Sequence, residues 1–421
     1  MFDLDRWMEI YHVLRSNKLR TFLTAFGVFW GIFMLVIMLG SGNGLQNGIT
    51  RNFGDMATNS VFFWTESTTI PYKGFTRGRT FDYDNSDITA LSEGIPEIKY
   101  LAPRTNVGGF NGSSSVIRNL KSGQFPIFGD YPVFNKIDPV TITSGRFLND
   151  FDLSEKRKVI VIGQRVVDIL FEPGENPINQ YIRINGVYFK VIGVFRSKRN
   201  GEAANQDNQR IHMPFTTLQR TFNLGNSVGF FNITSKDGIP VSVVEQKVIE
   251  ALKKRHFVAP EDDRAIGHFN LEEEFRKMEG LFNGIRWLVW IVGTGTLLAG
   301  IIGVSNIMLV VVKERTREIG IQRALGATPV KVITQVITEA VVLTTFSGYF
   351  GLVTGVGLLE GISYLLDHSG VNTEMFLHPG VNFNVAVTAL AILIIAGAAA
   401  GLIPARKAVS VKPIDALRFE L

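Results

Sequence analysis

The strongest constraint on this chain is a short, highly charged segment lying between two long apolar stretches. Residues 287–312 contain no charged side chain, and residues 332–359 contain only Glu339. Each stretch is long enough to cross a bilayer as a helix, since about 20 residues at about 1.5 Å rise span the hydrocarbon core. The segment between them, residues 313–330, must therefore lie in water at one membrane surface.

The basic side chains within the segment 313–330 indicate at which membrane surface it lies. Short loops rich in Lys and Arg stay on the cytoplasmic side, and this one contains Lys313, Arg315, Arg317 and Arg323. Apolar residues between the charges, followed by Gly326 as a helix stop, predict a short helix with an exposed apolar edge. Such a helix is suited to binding by another protein.

Two further apolar stretches, residues 21–39 and 383–403, bring the predicted spans to four. Lys and Arg lie beside the N-terminal segment, the middle segment and the tail, and are absent from the loop 367–382. Both chain ends are then cytoplasmic, and residues 43–270 lie outside. A cleaved signal peptide is the alternative for the first stretch, but signal cores are shorter, about 7–15 residues.

Residues 43–270 differ in composition from the apolar stretches: turn residues are frequent, and short β-rich runs alternate with helical ones. Asn185-Gly186 between two apolar runs is a strong hairpin signal. Residues 84–93 and 240–256 have the caps and apolar spacing of helices. The predicted fold is a four-helix transmembrane protein with a large extracytoplasmic α+β domain of two lobes inserted between helices 1 and 2 on a helical stalk.

The stalk prediction comes from apolar residues at alternating spacings of four and three, which form a heptad seam. This seam continues without a break into the apolar stretch, which indicates one continuous helix leaving the membrane. A simple amphipathic connector is the alternative. The seam residues are Leu271, Phe275, Met278, Phe282 and Ile285.

No catalytic, cofactor-binding or metal-binding residue is predicted. The chain has no Cys, no HExxH, no GxSxG and no P-loop, so ATP and Mg²⁺ would have to bind to a partner. A net charge of +5 raises the question of nucleic acid, but the basic residues cluster beside apolar stretches, which favours membrane topology and lipid contact. Glu339 is open to two interpretations, a proton relay or, more in keeping with its surroundings, a structural hydrogen bond.

The predicted organisation follows from these boundaries. It comprises a cytoplasmic amphipathic helix (1–20), the first span (21–42), the external domain (43–270), stalk and second span (271–312), the cytoplasmic coupling segment (313–330), the third span (331–366), a short external loop (367–382), the fourth span (383–404) and a cytoplasmic tail (405–421).

Several motifs together resemble the MacB-type ABC transporter permeases, a family that includes FtsX and lipoprotein-releasing permeases. NIMLVVVKERTREIGIQRALGAT with TEAVVL resembles the family's segment between its second and third spans, and GLIPARKAVSVKPIDALRFE its C-terminal signature. In the external domain, GRFLNDFD and KVIVIG follow the family's order. The resemblance covers nearly the whole chain, without a fused ATPase domain.

The resemblance implies a non-catalytic permease subunit in the bacterial inner membrane. It implies a homodimer or a heterodimer with a related permease, driven by a separate ABC ATPase, and leaves room for a periplasmic adaptor and an outer-membrane channel. Motion of the periplasmic domain would then export a cargo taken up on the periplasmic side, since the apolar spans offer few polar groups to a hydrophilic substrate.

Three alternatives remain open: an FtsX-like regulator of a cell-wall hydrolase, a lipoprotein-releasing permease, and a scaffold without an ATPase. The coupling segment argues against the scaffold, although its basic residues could also serve only to attract lipid headgroups. The residues predicted to dock the ATPase are Glu314, Arg315, Arg317, Glu318, Ile319, Arg323, Ala324, Leu325 and Gly326.

Overall fold

The structure, a computed structural model, describes residues 18–52, 55–108, 112–368, 376, 379–380 and 383–410. The chain forms two compact units, one of Thr50–Gly280 and one of Met1–Ile49 with Leu281–Leu421. Most of the predicted N-terminal amphipathic helix, most of the loop 367–382 and residues 411–421 of the predicted tail lie outside the described residues.

Four helices among the described residues are long and apolar enough to cross a membrane. They are the first membrane helix (Lys18–Asn52), the second (Leu271–Glu314), the third (Pro329–His368) and the fourth (Phe383–Ser410). The prediction of four such helices, with a large α+β domain between the first and the second, is confirmed. Because helix ends do not mark the edge of the hydrocarbon core, the predicted limits of the spans remain predictions.

The third membrane helix is one continuous helix of 40 residues. Its proline, Pro329, stands at the first position, where a missing N–H removes no intrahelical bond. No other proline follows before His368, so nothing in the sequence breaks the hydrogen-bond ladder.

Glycines let the membrane helices approach one another closely. A Cβ added at Gly397 would lie 2.0 Å from Thr344 Oγ1, where the fourth helix meets the third. A Cβ at Gly351 would lie 2.5 Å from the carbonyl oxygen of Phe29 in the first helix. A Cβ added at Gly27, by contrast, would meet nothing within 4 Å among the described residues.

The external unit is built on one large, mainly antiparallel sheet. Its strands run in the order β14-β1-β13-β3-β6-β11-β8-β10-β9-β4-β5, with β7 paired to β10, while β2 and β12 form a separate pair. The strands are β1 (Ser60–Thr65), β2 (Tyr83–Asp84), β3 (Ile98–Asn106), β4 (Ser114–Arg118), β5 (Lys121–Phe125), β6 (Ile127–Asp130), β7 (Thr141–Gly145), β8 (Val159–Gly163), β9 (Tyr181–Ile184), β10 (Val187–Arg196), β11 (Ile211–Pro214), β12 (Ser227–Val228), β13 (Phe230–Ser235) and β14 (Ile266–Asn270).

The two largest hydrophobic clusters of this unit form most of its core. One lies under the helices Asn85–Gly94 and Val241–Arg255 and includes Val61, Phe63 and Phe231. The other lies around β8, β10 and the helix Gln164–Leu170. The remaining helices of the unit are Phe134–Ile137, Asp150–Ser154, Gly201–Asn208 and Phe215–Thr221.

Local sequence signals explain several of these elements. Asn185 and Gly186 have φ values of 44° and 89°, the positive values that a two-residue type I′ hairpin needs, and β9 pairs with β10 across them. The helix Asn85–Gly94 starts at a capping box between Asp84 and Asp87. The predicted hairpin and this predicted helix are both present.

The sequence did not predict six strands, the two-residue β2 and β12 and the longer β5, β6, β7 and β14. Each of the four longer strands contains one glycine, at positions 123, 129, 145 and 267, and glycine weakens a strand signal. The glycines are required by close contacts instead. A Cβ on Gly267 would lie 2.2 Å from the indole nitrogen of Trp64 on the neighbouring strand.

Candidate functional site

The coupling segment contains a short helix, Thr316–Ala324, called here the coupling helix. It ends in a Schellman motif: the N–H of Ala327 donates to the carbonyl of Gln322 at 3.0 Å, and that of Gly326 to the carbonyl of Arg323 at 3.1 Å. Gly326 has a φ of +99°, which a residue with a Cβ rarely adopts. The predicted glycine stop is therefore what ends this helix.

One side of the coupling helix is exposed. Arg317, Ile321 and Leu325 are spaced four residues apart, so they lie along one face. Leu325 is 84% exposed and Ile321 42% exposed, so two aliphatic side chains lie open beside Arg317 on the same face. These three residues, called here the outer stripe, combine a guanidinium with two aliphatic side chains open to a partner.

Arg315 points elsewhere. Its Nη1 lies 3.1 Å from Glu339 Oε1 of the third membrane helix, and its Nε donates to Glu318 Oε2 at 2.9 Å. The side chains of Arg315 and Glu339 are only 19% and 10% exposed. Of the two interpretations of Glu339, the structure shows a structural partner, and this partner is an arginine of the coupling segment.

Arg323 also contacts a membrane helix of its own chain. Its Nη1 donates to the carbonyl oxygen of Val409, near the end of the fourth membrane helix, at 2.6 Å. Ile319 is half-buried against the apolar cluster of the membrane helices. Of the residues predicted to dock an ATPase, the structure leaves exposed Glu314, Arg317, Glu318, Ala324, Leu325 and Gly326 and places in half-buried positions Arg315, Ile319 and Arg323.

The second membrane helix contains the predicted seam. It is continuous over 44 residues, which at about 1.5 Å each makes it about 66 Å long, twice the hydrocarbon thickness of about 30 Å. Leu271 and Phe282 are buried, at 1% and 6% exposure, and Phe275, Met278 and Ile285 are half-buried. Val289, the next residue of the heptad pattern, is also buried, and Val292, the one after it, is exposed, because the buried side of a straight helix drifts away from a seven-residue repeat.

Polar contacts fix the start of this helix to the external domain. The carboxamide oxygen of Asn270 caps the helix by accepting from the N–H of Glu273 at 3.0 Å. Glu272 Oε2 accepts from the N–H of Val241 at 2.8 Å, at the first residue of the helix Val241–Arg255. A carboxylate at a helix N-terminus is favoured by the helix dipole, so the stalk begins as an integral part of the domain.

An open cleft of about 950 Å³ lies on the sheet face near the start of the stalk. Its walls are mostly aromatic and aliphatic: Met56, Phe62, Trp64, Leu224, Phe230, Phe269 and Leu271. The only charged residue among those that line it is Arg199, which is paired with Asp138 at 3.0 Å and Asp207 at 3.1 Å. The cleft therefore offers apolar surface with its one cation already neutralised.

Sequence reasoning missed a buried charged triad in the same domain. Arg104 on β3 lies opposite Asp130 on β6, with Nε 2.6 Å from Oδ1, and His212 Nδ1 lies 2.6 Å from Asp130 Oδ2. Burial would raise the pKa of Asp130, but Arg104 and His212 hold it below the usual value. Burial lowers the pKa of His212, against the opposing effect of Asp130. The three residues are too far apart in sequence for any local pattern to reveal them.

Neither a metal site nor a catalytic centre stands out in the described part of the chain. No group of three or more His, Cys, Asp or Glu there could hold a metal ion. The features that remain are the coupling helix, the stalk and the apolar cleft.

Two family models match the sequence. The MacB-like periplasmic core domain matches residues 21–251, and the FtsX-like permease C-terminal domain matches residues 290–413. The periplasmic region of MacB from Actinobacillus actinomycetemcomitans, a solved structure, is 20% identical, covers 53% of this chain and 94% of that region, and superposes with a TM-score of 0.43.

Full-length relatives are exporters by name. The pyoverdine export ATP-binding/permease protein PvdT of Pseudomonas putida is 29% identical over 99% of this chain, and the macrolide export ATP-binding/permease protein MacB of Bdellovibrio bacteriovorus is 27% identical over 97%. The chain spans 60% and 61% of the length of these two relatives.

Proposed function

The chain belongs to the family of membrane proteins with a MacB-like periplasmic core domain and an FtsX-like permease domain, and from this premise we propose that it is the permease subunit of an ABC exporter. It carries out no chemistry of its own. ATP, with Mg²⁺, is hydrolysed by an ABC ATPase outside these residues, which we propose is a separate subunit. The coupling helix passes the resulting motion into the membrane helices and the stalk.

The observation that supports this best is the outer stripe. A leucine that is 84% exposed, at the end of a helix that also exposes Ile321 and Arg317, is costly to leave in water and suited to a groove on a partner. Anchors of this kind contribute about 2 kcal/mol or more, which is roughly a thirtyfold change in affinity.

The apolar cleft supports export rather than regulation alone. A volume of about 950 Å³ is at the upper end of the range for ligand sites, about 300–1,000 Å³. The cleft contains no acidic residue among those that line it, so it fits an uncharged, apolar or aromatic part of a cargo. We assign it as the cargo surface of the external domain.

The membrane setting completes the proposal. The permease lies in the bacterial inner membrane with the large domain in the periplasm, and works as a homodimer or with a related permease. An adaptor and an outer-membrane channel would continue the path of the cargo.

The docking experiment uses the full chain in nanodiscs, co-expressed in turn with each ABC ATPase of the source organism. Leu325→Asp is expected to weaken co-purification of the cognate ATPase by about thirtyfold or more, because a charge would enter an apolar groove. The matched control is Leu120→Asp, which places the same charge at a fully exposed leucine on the β4–β5 turn. Undiminished ATPase binding by Leu325→Asp would mean that the outer stripe is not the docking surface.

The cargo surface is tested separately with an uncharged fluorophore, N-phenyl-1-naphthylamine. Trp64 lies in the cleft, and the other four tryptophans of the chain, at positions 7, 30, 287 and 290, are replaced by phenylalanine so that energy transfer from Trp64 alone reports binding there. Phe269→Ser is expected to lower this transfer, because it removes an aromatic wall that is 41% exposed. Tyr188→Ser, at an exposed tyrosine outside the cleft, is the control. Equal transfer in the two variants would remove the cleft from the proposal.

A further inference from the structure

We propose that Arg315 and Arg323 are positioning residues that tether the coupling helix to the third and fourth membrane helices, rather than contacts to the ATPase. The proposal rests on the proposed function, because it concerns how the motion of a docked ATPase reaches the membrane helices. It assigns a role to Glu339, and it divides the basic residues of the coupling segment into two groups with different tasks.

The first tether joins the start of the coupling helix to the third membrane helix. Arg315 immediately precedes Thr316, and its Nη1 lies 3.1 Å from Glu339 Oε1. The surrounding side chains include Val312, Val332 and Val336, all nearly fully buried. Water screens a charge pair weakly in such surroundings, so the attraction is strong and an unpaired Glu339 would be costly.

The second tether joins the end of the coupling helix to the fourth membrane helix. Arg323 Nη1 donates to the carbonyl oxygen of Val409 at 2.6 Å. Val409 lies four residues before Pro413, which has no N–H, so its carbonyl cannot accept the usual helical hydrogen bond from that position. The Arg323 guanidinium therefore donates to an acceptor that lacks its i+4 donor.

The two tethers and the outer stripe lie on opposite sides of the coupling helix. At about 100° per residue, Arg315 and Arg323 point within about 80° of each other, while Arg317, Ile321 and Leu325 are centred about 200° away from them. One face thus holds the chain's own membrane helices at both ends of the coupling helix, and the other is open. A push on the open face must then move the third and fourth helices together.

The test separates tethering from docking. In this Cys-free chain, spin labels are placed on cysteines at the exposed positions 321 and 338, one on the coupling helix and one on the third membrane helix. Glu339→Gln is expected to broaden the distance distribution, because the neutral amide no longer holds Arg315. Glu360→Gln, which neutralises an exposed carboxylate of the same helix, is the matched control and should leave the distribution narrow.

Exchanging the two charged residues tests whether the effect of Glu339→Gln comes from losing the ion pair or from a general loss of structure. The double variant Arg315→Glu with Glu339→Arg, made together with Glu318→Gln to remove a like charge, is expected to restore the narrow distribution. With the ATPase present, Glu339→Gln should keep ATPase binding within about twofold while transport-coupled hydrolysis falls about tenfold or more, the change that 1.4 kcal/mol produces.

The outcomes distinguish this proposal from the proposed function. A narrow distribution in Glu339→Gln, with coupling intact, overturns the tether and leaves docking through Leu325 untouched. Retained ATPase binding in Leu325→Asp overturns the docking surface, while the spin-label result, which needs no ATPase, still decides the tether. Loss of ATPase binding in Glu339→Gln would place Glu339 and Arg315 in the docking surface and also overturn the tether.

Discussion

Replacing Arg104 by methionine is expected to reverse the pH dependence of stability in the external domain. The guanidinium of Arg104 lies 3.9 Å and 4.1 Å from the ring centres of Phe128 and Phe134, and its Nε lies 2.6 Å from Oδ1 of the fully buried Asp130. The Nε–H does not point at that oxygen, so the contact is Coulombic rather than a well-aligned hydrogen bond. Methionine keeps much of the volume and removes the charge.

The size of the destabilisation depends on which group takes up a proton once Arg104 no longer balances the charge of Asp130. Taking up its own proton at pH 7 would cost about 4 kcal/mol, since its unfolded pKa is about 3.9 and each unit is about 1.4 kcal/mol. Protonating His212, already 2.6 Å away, costs only about 0.7 kcal/mol from an unfolded pKa of about 6.5. The histidine therefore becomes the counter-ion. With the lost cation–π contacts the variant should be about 2–4 kcal/mol less stable at pH 7.

The sign of the pH dependence then differs between the two proteins. In the natural chain burial lowers the pKa of His212, so its contribution to stability is present above about 6.5 and is lost as the pH falls. In Arg104→Met the pKa of His212 is raised, so the contribution is present below about 6.5 and is lost as the pH rises. Asp130 stays ionised in both proteins above about pH 4 and adds no slope in this window.

Hydrogen exchange of the β6 and β11 amides, corrected for intrinsic rates, measures the free energy of opening at pH 5.5 and pH 8. The natural chain should be more stable at pH 8, and Arg104→Met at pH 5.5. Adding His212→Gln removes the remaining counter-ion, so Asp130 must itself take up a proton on folding; this should cost about 3 kcal/mol more at pH 7, and the double variant should stay more stable at pH 5.5 than at pH 8. An Arg104→Met protein with the same slope as the natural chain would refute the reasoning.

Three further predictions concern the membrane part. Phe282→Asp buries a charge at a position that is 6% exposed, so it should lower the thermal midpoint in detergent by several degrees. Glu273→Lys, on the exposed side of the same helix, should change the midpoint little. A larger effect of Glu273→Lys than of Phe282→Asp would mean that the faces are misassigned. A cysteine replacing Asn200 should react with an impermeant maleimide in intact spheroplasts and one replacing Arg317 should not, and the opposite pattern would contradict the topology. Gly397→Leu should destabilise the packing of the third and fourth helices, seen as a lower midpoint, because a Cβ there already clashes; an unchanged midpoint would count against that contact.

The parts of the fold that could be predicted are those determined by neighbours in sequence. The four apolar helices, the hairpin at Asn185-Gly186 and the glycine stop at Gly326 each follow from a few consecutive residues and a local physical rule. The continuous helix Leu271–Glu314 follows from a repeat that extends across the membrane surface.

The parts that could not be predicted depend on residues far apart in the chain. Gly267 weakens the signal of β14, and the reason it is glycine, the indole of Trp64 beside it, lies about two hundred residues earlier. Arg104, Asp130 and His212 come from three strands that only the sheet order brings together. The cleft likewise collects side chains from β1, β13 and β14 and from the loop before β12.

The coupling segment combines features that local sequence rules predict with features that depend on distant residues. Counting back from Gly326 at about 100° per residue would have placed Arg315 and Arg323 opposite Arg317 and Leu325. The count alone does not say which side faces the membrane helices. Glu339 adds part of that information, because a carboxylate in an apolar stretch is expected to have a partner, and in the structure this partner is Arg315. An isolated acidic residue near the end of a span therefore indicates that a basic residue of the neighbouring loop turns inward, and once that residue is known the helical count gives the residues on the opposite face.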